Sequence, residues 1–170
     1  MTHRKQLIAV LGAYAGGLVL GLLAAANLAH QLVTHPQQLP ALAIIQHNVM
    51  VLVIMFLGIM TAGLVTLLVL LINGVMFGAV VGAYAWQGKL AAILLALAPH
   101  GILEVGAFLL AGYGDLLLVS LLWRLLRTNG WKTWRQQRQA LWKCLLLNGC
   151  AIFLLIFASL IEHTLFLTVS

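Results

Sequence analysis

Two glutamates and a histidine stand where lipid should exclude them. His100 and Glu104 lie in Ala98-Pro99-His100-Gly101-Ile102-Leu103-Glu104, inside a long apolar run, and Glu162 lies inside another. Ionisable groups at membrane depth are costly and by default mark a functional site. At i and i+4 an imidazole and a carboxylate share one helix face. Such a pair can give two ligands to a divalent metal, with His47, Glu162 or His163 completing a tetrahedral zinc set. Zinc held there would activate water or polarise a peptide carbonyl. Without metal, Glu104 can act as general base beside His100. The residue order is not the His-Glu-x-x-His of metalloproteases. A buried His–Glu hydrogen bond that locks a helix is the plain structural alternative.

The elements that must position these groups follow from composition. With 64% hydrophobic and 7% charged residues in 170, and a mean hydropathy of +1.10, a soluble domain is excluded. Apolar runs at 7–29, 48–72, 74–86, 90–111 and 144–161 predict an all-α polytopic bundle of about five spans. The chain reads as a single integral membrane domain over residues 1–170. Residues 42–86 carry no charge. As one helix they would measure roughly 65 Å, twice the bilayer core, so the run must turn back, near Thr61–Thr66. Pro99 removes a backbone donor and crowds the Leu95 carbonyl, which predicts a kinked or broken fourth helix. A re-entrant break there would raise the span count to six.

The net charge of +6 lies at segment ends and forms no basic strip on a soluble face, so nucleic acid is not an expected partner. Arg4 and Lys5 place the N-terminus in the cytoplasm, and the apolar stretch behind them reads as a retained first span rather than a cleaved signal. The loop His30 to Pro40 then lies outside. Residues 121–143 hold six of the nine basic residues and four of the five tryptophans, which predicts an amphipathic segment at the cytoplasmic headgroup layer. Asp115 reads as an N-cap at the inner end of the fourth span. Cys144 and Cys150 read as small core residues on different helix faces, without a disulfide or cysteine metal motif. Glycines spaced through the helices favour close helix packing, and homo-oligomers are open to the same faces.

Depth can be estimated from this topology. His47 falls roughly 8 Å and Glu162 roughly 9 Å from the outer surface, His100 roughly 15 Å, and Glu104 one turn deeper. Ionisable groups from three helices therefore converge in the outer half of the bilayer. Asn48, beside His47, and Asn73 are further candidates, each also able to serve as an interhelical hydrogen bond.

Taken together, these residues resemble the stage II sporulation protein M family of small bacterial polytopic membrane proteins. The resemblance rests on Asn48, Gly58 and Gly63, on Asn73-Gly74 with Gly78, and on Gly112 and Gly114. Its most specific block is Pro99-His100-Gly101-Ile102-Leu103-Glu104, and Ile161-Glu162 fits the family's closing Ile-Glu. Where family members often continue with Leu-Pro after the first glutamate, this chain has Val105-Gly106. The resemblance implies a multi-pass protein of the bacterial cytoplasmic membrane. Its namesake is a scaffold for extracytoplasmic cell-wall hydrolases in sporulation engulfment, whereas short members accompany circular bacteriocins.

The short external loop offers little for a hydrolase to grip. The expected function is therefore maturation (leader removal, circularisation) or export of a hydrophobic peptide, alongside other membrane proteins of the same pathway. A metal-dependent intramembrane peptidase or cyclase is one form of it. A non-enzymatic scaffold or permease component, and a proton- or ion-coupled carrier, are the alternatives.

Overall fold

The computed structural model describes residues 2–28, 41–127 and 134–169. Among them the chain is helical, without strands: α1 (His3–Leu28), α2 (Ala41–Leu57), α3 (Leu64–Trp86), α4 (Leu90–Arg127) and α5 (Trp134–Val169), with a 3-10 turn at Gly58–Thr61. The expected outer loop, with His30 and His35, lies outside the described residues. Five helices are long and apolar enough to cross a membrane. Large apolar side chains face outward, including Leu23 at 72% exposure, Ile102 at 71% and Phe153 at 68%. In water such faces would be an aggregation hazard; in lipid they are solvated. This is a multi-pass membrane protein.

The polar backbone of each helix is satisfied internally, so association falls to packing. α1 packs chiefly against α3, and α4 against α5. The first pair runs parallel and approaches on glycine. A Cβ at Gly17 would sit 2.1 Å from the Leu71 carbonyl oxygen, and one at Gly78 would sit 2.2 Å from that of Leu18. Gly17 and Gly21 on one helix, and Gly74 and Gly78 on the other, are thus small-xxx-small pairs that let the backbones touch. Around this contact, Val10, Tyr14, Leu52, Met55, Leu70, Phe108 and Leu155 form the core.

The uncharged 45-residue run turns back where length requires it. Ala62 (φ 54°) and Gly63 (φ 91°) take left-handed backbone, and the Gly63 N–H donates to the Gly58 carbonyl at 2.8 Å. Thr66 Oγ1, fully buried, donates to the Met55 carbonyl at 2.8 Å and ties the two arms together. Its hydroxyl leaves no room for a side chain at Gly58.

α4 runs uninterrupted for 38 residues with Pro99 inside it, so of the kink or break expected there the break is absent. Proline deletes one hydrogen bond, to Leu95, and the remaining ladder carries the helix through. Nor is Asp115 an N-cap, because α4 begins at Leu90 and Asp115 is wholly buried well inside it. At about 57 Å, α4 exceeds the roughly 30 Å hydrocarbon core. The tryptophan- and arginine-rich stretch is therefore, in its described part, the end of α4 and the start of α5 rather than a separate surface helix. Arg127 lies over the Trp123 ring at 4.6 Å, a cation–π contact. Residues 128–133 lie outside the described residues. Cys144 is buried, but Cys150 is exposed and so is not a core residue.

Candidate intramembrane site

Four helices each send one polar side chain to a common cavity of about 270 Å3: Tyr14 from α1, His47 from α2, Asn73 from α3 and Glu104 from α4. The glycine contact between α1 and α3 sets this meeting, since Gly74 sits against the Tyr14 backbone and leaves Asn73 beside it. Asn73 Nδ2 donates to the Val69 carbonyl of its own helix at 2.9 Å, which directs the rest of the amide to the cavity. Phe77, Leu97, Val105 and Phe108 complete an apolar wall.

Neighbours on one helix part company according to pitch. Consecutive residues differ by about 100° around a helix, so His47 faces the cavity while Asn48 does not. Asn48 is buried and donates to Ser159 Oγ at 3.4 Å, and Ser159 donates to the Leu155 carbonyl at 2.8 Å, pinning α2 to α5. Glu104 is half-buried and close enough to both Glu162 and Tyr14 for its charge to act on them. Glu162 thus stands in the neighbourhood without lining the cavity.

His100 is half-buried, with its Nδ1 buried and without a hydrogen-bond partner among the described residues. It does not line the cavity and makes no hydrogen bond to Glu104, so the lock considered above is absent. A shared face at i and i+4 allows contact without requiring it, and only Glu104 reaches the cavity. No three His, Cys, Asp or Glu side chains among the described residues stand where they could hold a metal. His163 lies on α5, with its side chain outside the described residues. The donors as placed do not form a ready zinc centre.

A second, apolar hollow of about 410 Å3 adjoins the polar cavity. It is lined by Leu94, Ala98, Gly101 and Ile102 and shares Tyr14, Phe77, Leu97 and Val105 with its neighbour. A lipid-soluble chain lying there would meet hydrogen-bonding groups only at its inner edge. Glu104 can accept a proton or an amide N–H, and His47 and Tyr14 can donate to a carbonyl.

Two buried polar residues were not expected. Asp115 is fully buried; neither carboxylate oxygen makes a hydrogen bond of ordinary geometry among the described residues, and the Asn148 amide of α5 is its polar neighbour. The apolar run that continues past it, Leu116 to Leu122, was the available signal. Gln6, 1% exposed, donates through Nε2 to the Leu116 carbonyl at 2.8 Å and to Ser120 Oγ, tying α1 to α4. Its place beside Arg4 and Lys5 hid it, because a glutamine near a basic terminus reads as solvated.

The fold and site define a polytopic helical membrane protein with a polar cavity at membrane depth. The family model of stage II sporulation protein M matches residues 6–165, nearly the whole chain. The chain belongs to that family. No curated protein and no solved structure matches it.

Proposed function

We propose that this protein receives a hydrophobic peptide within the bilayer and serves its maturation, by leader removal or circularisation, or its export. The observation that carries this reading is the pairing of the apolar hollow with the cavity that holds Glu104, His47, Asn73 and Tyr14. An apolar segment would lie against Phe77 and Leu97 while a backbone carbonyl or amide meets Glu104 and His47. Glu104 then acts as proton acceptor in peptide-bond chemistry or as a hydrogen-bond anchor during passage. Glu162 stands near that site without lining it.

The N-terminus lies on the cytoplasmic side in this reading. Arg4, Lys5, Arg124, Arg127, Arg138 and Lys143 gather at that end of the helices, and among the described basic residues Lys89 stands at the other. A scaffold or permease component is the second reading. It draws on the apolar hollow of about 520 Å3 on α5, lined by Trp142, Leu146 and Phe153, where a partner's membrane helix could lie.

Mass spectrometry of peptides released by the native host tests the choice. With Glu104→Gln or His47→Ala, peptide maturation should stop or slow at least ten-fold while the protein stays in the membrane. Unchanged mature product from both variants sinks the chemical role. Processed peptide that accumulates inside the cell points instead to the scaffold or permease reading.

A further inference from the structure

A separate pocket lies at the end of the molecule that carries the N-terminus. It measures about 180 Å3 and is lined by His3, Gln6, Ser120, Arg124, Gln139 and Lys143, with Leu117, Leu121 and Ala140 behind them. The volume matches about six water molecules at roughly 30 Å3 each, which suits a small anionic group and not an acyl chain. The lining holds two permanent cations, a histidine and three neutral polar side chains, and no carboxylate. The three acids of the chain are elsewhere: Glu104 and Glu162 near the intramembrane cavity, Asp115 buried within α4.

Two of the polar groups at the pocket's base are held in place, whereas Arg124 and Lys143 are exposed at its rim. Gln6 is almost wholly buried, and its amide donates to the Leu116 carbonyl and to Ser120 Oγ. Ser120 thus accepts from Gln6, and a hydroxyl also carries one donor hydrogen. His3 Nδ1 lies 3.4 Å from Tyr113 Oη, which fixes the ring at the pocket mouth. Three helices, α1, α4 and α5, contribute to the lining, so the pocket exists only in the folded bundle. Trp123 and Trp142 are exposed at the same level, as at a headgroup layer.

We propose that this pocket binds a phosphate-bearing anion: the phosphodiester of an anionic phospholipid, or free phosphate. Arg124 and Lys143 supply the charge, and Ser120 donates a hydrogen bond. Basic pockets between membrane helices on the cytoplasmic side hold acidic headgroups by this chemistry. The site stands at the opposite end of α4 from the peptide cavity and does not depend on the function proposed for that cavity.

The test uses the full-length protein in mild detergent, with bound phosphatidylglycerol and phosphatidylcholine counted by native mass spectrometry. Phosphatidylglycerol should be retained in preference to phosphatidylcholine. Arg124→Gln and Lys143→Gln should each lower that retention about five-fold. Lys89→Gln, which removes the same charge at the other end, should leave it unchanged. Ser120→Ala, a substitution mild enough to keep the fold, should weaken retention two-fold or more. Added inorganic phosphate separates the two sources. Displacement of the lipid shows that the phosphate group alone is read, and persistence of the lipid shows that the phospholipid is the ligand. Equal loss with Lys89→Gln and Arg124→Gln, or no preference for the anionic lipid, would overturn the proposal.

Discussion

Gly78→Ala probes the contact on which the intramembrane cavity depends. The added methyl would lie 2.2 Å from the Leu18 carbonyl oxygen, against the 3.4 Å at which ordinary contact begins. The difference, 3.4 − 2.2, is 1.2 Å, and the obstructing atom is backbone, so no rotamer change can absorb it. α1 and α3 must separate by about 1 Å, and a gap of that size forfeits a quarter to a half of each van der Waals contact along the seam. Overpacking of this kind costs typically 1–3 kcal/mol, and rigid surroundings put this site near the top, at about 3 kcal/mol. Gly12→Ala is the matched control on α1, because nothing lies within 4 Å of its Cβ position. There the substitution should gain about 0.5–1 kcal/mol from backbone entropy. Thermal unfolding of the purified protein in detergent should therefore fall by about 6–12 °C for Gly78→Ala, and hold or rise for Gly12→Ala. Equal melting temperatures for Gly78→Ala and wild type would refute the close approach of α1 and α3.

Replacing the buried carboxylate by an apolar side chain of similar size with Asp115→Leu should hold stability or raise it by about 1–3 kcal/mol, because both buried oxygens are removed. A lower melting temperature would show that the charge holds the bundle together. Thr66→Val keeps the volume but deletes the bond to the Met55 carbonyl, and should lose about 0.5–1.5 kcal/mol in the same melt. Asn48→Leu should cost more than Asn73→Leu, because Asn48 bridges α2 to α5 whereas Asn73 bonds only its own helix. Resistance to unfolding in sodium dodecyl sulfate ranks the pair.

Much of this arrangement is legible in the sequence. The hairpin near Gly63 followed from arithmetic alone, because an uncharged stretch of that length cannot cross once. Depth along separate helices brings His47 and Glu104 together as expected, but it also expects His100 and Glu162 there and does not call for Asn73 or Tyr14. Spacing could not supply rotation, however. His100 and Glu104 at i and i+4 share a broad face, yet only Glu104 reaches the cavity; His47 and Asn48 are adjacent and serve different partners. Tyr14 carried no signal in an apolar helix, since an aromatic residue there is ordinary lipid-facing or core material. Asp115 was misread through the helix end, placed at Ala111 when α4 continues to Arg127. Pro99 does not end α4, because one missing hydrogen bond leaves the ladder on either side of it intact.

The claim that the cavity takes a hydrophobic peptide is tested most directly by photocrosslinking in the native host. A photoreactive benzophenone side chain would replace Leu97, which lines both the polar cavity and the apolar hollow, and in a second strain Leu23, which faces lipid on α1. Mass spectrometry should find a peptide adduct at Leu97, lost when Glu104→Gln is added, and only lipid adducts at Leu23. Peptide adducts of equal yield at both positions, or lipid alone at Leu97, would contradict it.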